Sequence, residues 1–145
     1  MKISRFLIGF LMIFLTSCDP FTGSFVANSS NEKTTVIIKY NQNNQSIKKY
    51  IQTHKSFEKF VKFIHGYSGS KGDLVGIDTT KYIATFELNK KDTLEIWGGI
   101  RQSNDFDEIE EVIVYPNKIE TTIKGQDIED VFLKKSFGFY IYTVK

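Results

Sequence analysis

The 145-residue chain reads as a mainly β protein, an antiparallel β-sandwich-like single domain with one or two short helices. Three observations predict this. About eight short runs are rich in β-branched and aromatic residues, polar turn-forming stretches separate them, and the whole chain holds only two prolines. Packing such strands in two layers buries one face of each, which is the arrangement a sandwich provides.

The globular domain is expected over residues 34–145. It opens with residues 34–40 (TTVIIKY), which lead through the polar run NQNNQ into residues 46–53, so that the two read as a hairpin. An alternative runs one helix from Ile47 through Ile64, because Ile47, Tyr50, Ile51 and His54 also fit the helical period. The run SFEKFVKFIHG predicts a helix: Ser56 can cap it, Phe57, Phe60, Val61 and Ile64 share one side, and Gly66 can end it. Strands are expected over residues 74–78, 81–88 (KYIATFEL) and 93–97 (TLEIW), the last two joined by a polar turn at residues 89–92. Residues 111–115 (EVIVY), 119–124 and 137–144 (FGFYIYTV) add three more, with Tyr140 and Tyr142 expected on an exposed sheet face. Between the last two, QDIEDVFLKK predicts a second helix, with acids in its first turn, lysines in its last, and Ile128, Val131 and Phe132 on one side.

The N-terminus has a different character. Lys2 and Arg5 precede an apolar run from Phe6 to Leu15, followed by Thr16 and Ser17, which is the order of a secretion signal over residues 1–17. That core is too short to span a bilayer, since a membrane helix needs about 20 apolar residues. The only cysteine in the chain, Cys18, follows at once. Leu15-Thr16-Ser17-Cys18 resembles the lipobox of bacterial lipoproteins, a large aliphatic residue three places before a cysteine with small residues between. The resemblance implies that Cys18 is alkylated by diacylglycerol, becomes the first residue of the mature protein, and is the membrane attachment point. A lone thiol in an oxidising compartment then needs no disulfide partner. Two or more acyl chains hold a protein firmly, at about 0.8 kcal/mol per buried methylene. In that family an aspartate after the cysteine, here Asp19, goes with retention at the inner membrane, so the resemblance implies a lipid-anchored, periplasm-facing protein of the bacterial cell envelope. Residues 18–33 are polar and carry glycine, serine and asparagine, as expected of a short lipidated tether, within which Phe25 and Val26 can already belong to a first strand.

Removing the signal changes the charge balance. The chain has 19 Lys and Arg against 17 Asp and Glu; without Lys2 and Arg5 the mature side chains stand at 17 of each. This balance argues against a nucleic-acid partner, whose ligands need a basic excess. The charges are unevenly placed, however. Residues 33–71 hold eight lysines and one acid, Glu58, whereas DFDEIEE packs Asp105, Asp107, Glu108, Glu110 and Glu111 into seven residues. Lys55, Lys59 and Lys62 fall at i, i+4 and i+7, so that, if Ser56 starts a helix or Lys55 lies just before it, they gather along one exposed side. These lysines and the five acids are the candidate interaction surfaces.

Signals for chemistry are sparse. With Cys18 lipidated, the mature chain offers His54 and His65 and no thiol, so a Cys/His nucleophile pair or a thiolate zinc site cannot be assembled. The serines lie in no G-x-S-x-G pattern, GYSGSKG lacks the framing of a phosphate loop and reads as a plain loop, and the acidic run lacks the glycine and glutamate register of an EF-hand. No cofactor or metal is expected, and Trp97 reads as a core or rim aromatic. The sequence therefore points to a lipid-anchored envelope protein with a non-catalytic, protein-binding or structural domain. Alternatives are an inhibitor or immunity-type lipoprotein, and a ligand-binding module or enzyme whose site is not visible in the sequence.

Cys18→Ala is expected to leave the protein unlipidated and lost from its membrane fraction. Mass spectrometry of the mature N-terminus checks this; an unmodified Cys18 still preceded by Ser17 in the mature protein would refute lipidation.

Overall fold

The computed structural model describes residues 21–66, 70–100, 106–136 and 138–145. Cys18 and Asp105 lie outside these residues, as do residues 67–69 of the glycine-bearing loop. The expected mainly β, sandwich-like architecture is present as two sheets of four and five strands. The strands are β1 (Phe21–Asn28), β2 (Thr34–Tyr40), β3 (Asp73–Asp78), β4 (Ile83–Leu88), β5 (Thr93–Ile100), β6 (Ile109–Val114), β7 (Thr121–Lys124), β8 (Leu133–Ser136) and β9 (Phe139–Val144). The helices are α1 (Gln45–His54), α2 (Phe57–Gly66) and the single turn α3 (Ile128–Val131). One sheet has the order β5-β1-β9-β8 and the other β3-β4-β2-β6-β7.

The first strand allowed for at Phe25 and Val26 is present and longer, β1 running from Phe21 to Asn28, so the stretch expected as tether is ordered into a sheet from Phe21 on. β1 alternates between a buried row, Ser24, Val26 and Asn28, and a half-buried row, Phe25 and Ala27, and it is paired on both edges. Its pairing with β9 is parallel, so the sandwich is not wholly antiparallel. Phe25 stands beside Ile141 and Val26 beside Tyr142. At its far end Asn28 clasps the two sheets: its Nδ2 donates to the Leu88 carbonyl at 3.0 Å and the Glu32 carbonyl at 2.8 Å, and its Oδ1 accepts from Ser30 Oγ at 2.7 Å. Buried carbonyls left without such a donor each cost about 1–3 kcal/mol.

The hairpin expected from residues 46–53 is replaced by α1. Asn44 caps it, its side chain accepting from the backbone N–H groups of Ser46 and Ile47 at 2.9 and 3.1 Å, and an Asn cap of this kind contributes about 1 kcal/mol. The single long helix is not formed either. Lys55 takes a left-handed conformation, φ 54°, that ends α1, and Ser56 Oγ then accepts from the Lys59 N–H at 3.1 Å to start α2. The second expected helix is cut short: a 3-10 turn at Gly125–Asp127 runs into α3, Phe132 is extended and buried, and the residues beyond it become β8. Gly125 is required there, because a Cβ would come within 1.9 Å of the Ile109 carbonyl oxygen.

The inner faces of the sheets meet over Val26, Leu94 and Ile96 on one side and Val36, Ile38, Ala84, Phe86, Val112 and Val114 on the other, all buried. A sandwich leaves two open sides, and here helices close both. α2 inserts Phe57, Phe60 and Val61 against Tyr40 beside β5, while Ile128 of α3 and Phe132 fill the gap between β7 and β8. Tyr140 points into this core, reversing the expected exposure, and Tyr142 packs on Phe132. Among the described residues no helix is long and apolar enough to cross a membrane.

Phe60→Ala should cost about 3–5 kcal/mol, because a buried aromatic between α2 and β2 leaves a cavity the fold cannot collapse. Lys59→Ala, on the exposed side, should cost little. Denaturant melts of the two variants check this, and equal losses would mean that α2 does not dock through Phe60.

Candidate functional site

The acidic run does not form one surface. Asp107 is exposed at the turn into β6, and Glu108 is turned inward, where its Oε2 accepts from Trp97 Nε1 at 2.5 Å. This pair joins the end of β5 to the turn before β6, with Phe106 packed edge-on against both Trp97 and Tyr140. Glu108 is thereby removed from the expected interaction surface, and Trp97 is a core aromatic. Glu110 stays exposed and pairs with Lys39 at 2.5 Å, a hydrogen bond that raises the Lys39 ammonium above its usual range. Glu111 is half-buried and stands directly opposite Lys124 in the β6–β7 register.

These residues border a cleft of about 580 Å³ where β6, β7, the 3-10 turn and α3 meet. Asp107, Glu110, Glu111 and Glu129 line it together with Lys124; Glu110 is held by Lys39 and Glu111 stands opposite Lys124, which leaves an excess of two acids. A second cleft of about 540 Å³ adjoins it over the cap of α1 and shares Asn41 and Asp107. The Asn41 side chain donates to the Asp107 carbonyl at 2.9 Å and fixes the ridge between them. Sequence reading found Asp107, Glu110 and Glu111 but missed Asn41, Lys124, Gln126 and Glu129, which are distant in the chain. The cross-strand pairing of Glu111 with Lys124 was the only available signal, and it requires the hairpin to be known. Among the described residues no three His, Cys, Asp or Glu side chains converge on a point that could hold a metal ion. The cleft is suited to a cationic, hydrogen-bonding ligand such as a lysine or arginine side chain.

Of the lysines of the other candidate surface, two lie on α2 and the third just before it. Lys55 lies at the left-handed break before α2, so only Lys59 and Lys62 belong to that helix. Lys62 is paired with Glu58 at 2.6 Å, and that hydrogen bond and charge lower the Glu58 carboxyl from its usual range. Both groups are more than half exposed, so the pair is worth little in stability and it quiets the basic stripe.

Neither histidine lines these clefts. His54 packs its ring on Tyr50 at the surface. His65, at the end of α2, sits between the sheets against Phe86, with its Nε2 2.8 Å from the Tyr40 hydroxyl. Burial lowers its imidazole to about 4, the nearby Glu95 backbone working weakly in the other direction although His65 Nδ1 makes no full hydrogen bond. The neutral ring shares one hydrogen bond with the Tyr40 hydroxyl through Nε2. Tyr40, fully buried, has its own ionisation pushed well above the usual range by desolvation.

In comparison with known proteins, the chain matches no family model, no curated protein and no solved structure.

His65 makes stability depend on pH with a definite sign. A folded pKa lowered to about 4 means that the unfolded chain binds the proton first, so full stability holds above pH 6.5 and falls as pH drops toward 4. Between pH 7.5 and 4.5 the loss should be about 2–3 kcal/mol. His65→Gln, whose amide can pair with the Tyr40 hydroxyl as donor or acceptor, should remove that part of the slope. Urea melts at the two pH values check it; an unchanged slope in the variant would assign the dependence to other groups.

Proposed function

We propose that this chain is a lipid-anchored protein of the bacterial cell envelope whose β-sandwich domain binds a basic segment of another envelope protein in the acidic cleft. The anchor rests on the lipobox resemblance at residues 15–18. The observation that carries the binding role is the cleft itself, where four carboxylates from β6, its preceding turn and α3 surround a concavity large enough for several side chains. Interfaces of this kind use complementary charge for fast and selective encounter. An inhibitor or immunity function is one form of the same reading, because a domain held at the membrane can intercept a partner there.

Photo-crosslinking in intact cells tests it. A crosslinker at Gln126, exposed on the cleft wall, should join the lipidated protein to one discrete envelope protein, and Glu111→Lys combined with Glu129→Lys should abolish that product while leaving membrane attachment intact. A crosslink that survives the charge reversal, or its absence in the wild type, would refute binding at the cleft without touching the anchor.

A further inference from the structure

The two outward sheet faces differ in chemistry. On the five-stranded sheet the half-buried Ile37 and Ile113 are set among Thr35, Thr85 and Thr122, with the pairs Lys33–Glu87 and Lys39–Glu110 at its margins. This is an ordinary solvated face. On the four-stranded sheet the outward row across β8, β9 and β1 is Leu133, Ile141 and Phe25. Phe139 stacks on Phe25 with ring centroids 6.1 Å apart and planes 18° apart. Phe25, Phe139 and Ile141 are half-buried and Leu133 is 61% exposed. The pattern follows from the inward turn of Tyr140, Tyr142 and Val144, which leaves the phenylalanine and isoleucine of β9 outside. On the β5 flank the apolar face ends where the Glu95 carboxyl is buried over Gly98, at which a Cβ would meet Glu95 Oε1 at 1.9 Å.

The chain enters this same sheet at Phe21, in its interior strand. Cys18 stands three residues earlier, so the attachment atom lies within about 11 Å of the sheet even at full extension. We propose that the outward face of the four-stranded sheet lies against the lipid surface to which Cys18 is anchored, with Phe25, Phe139, Ile141 and Leu133 at the headgroup boundary. This rests on the lipid-anchor reading of Cys18. A tether of two intervening residues leaves the domain little freedom beyond tilting, and among the described residues the large apolar face on the tethered sheet is the one a bilayer would cover. Lys135, exposed on β8, is attracted to anionic headgroups there, whereas Lys134 stands opposite Tyr140 with its ammonium 5.8 Å from that ring, on the side of the strand away from Leu133. The acidic cleft is built on the other sheet and remains available to a partner.

Introduced cysteines can report orientation, because Cys18 is the only native thiol. The full lipidated chain would be labelled with an environment-sensitive fluorophore at Leu133→Cys or, on the opposite sheet, at exposed Thr122→Cys, and placed in vesicles of zwitterionic and anionic lipid containing headgroup-nitroxide quencher. Quenching at position 133 should exceed that at 122 by about threefold or more, given burial of roughly 5–10 Å into the interface, and Leu133→Glu should release the Phe25 side from the lipid, read by a label at Ala27→Cys. Equal quenching at 133 and 122 in protein whose Cys18 lipid is confirmed by mass overturns the orientation alone. An unmodified Cys18 overturns the anchor and the orientation together. Concentration-dependent protection of position 133 in detergent, without vesicles, assigns the face to a second copy and also overturns it.

Discussion

The fold depends on the position of one strand. β1 is the first described element, yet it is an interior strand of its sheet, hydrogen-bonded to β5 on one edge and in parallel to β9 on the other. Both partners come from later in the chain, β9 from its very end. The four-stranded sheet cannot close until Phe139–Val144 is available, so the entropy of closing the long loop from β1 to β9 is spent before that sheet contributes. The five-stranded sheet is more local, since β2, β3, β4, β6 and β7 all fall between Thr34 and Lys124, although β5 of the other sheet intervenes before β6 can pair with β2.

Polar side chains then hold the layers in register where apolar packing alone would let them slide. Asn28 binds the sheets at one end through backbone carbonyls, and the Trp97–Glu108 bond ties β5 to the entrance of β6 at the other. Between them the His65–Tyr40 contact fixes the end of α2 over β2. Each places a polar group in the interior with a partner, which is costly to disrupt and directional in a way that aliphatic contacts are not.

Much of this was legible in the sequence. Strands β2, β4, β5 and β6 follow from β-branched runs with clear alternation, and α2 from its Ser56 cap and apolar side. What failed did so for local reasons. Residues 46–53 have both β-branched content and a helical period, and the Asn44 cap decides between them. β8 was hidden because Leu133, Lys134 and Lys135 are good helix formers that pairing with β9 overrides. Tyr140 and Tyr142 were placed outside because tyrosine tolerates water, but strand register moves every side chain together, and burying Val144 carries both inward. The cleft was half visible: the β6 acids are contiguous, whereas Lys124, Gln126 and Glu129 reach it only through the β6–β7 hairpin and the close approach at Gly125.

The interior position of β1 also sets how the domain bears force. Ladder hydrogen bonds lie nearly across the strand axis. A pull entering through the residues before Phe21 runs along β1 and loads its bonds to β5 and β9 at once, in shear, instead of peeling them one by one. The chain is joined to whatever precedes Phe21 by the strand best placed to resist extraction.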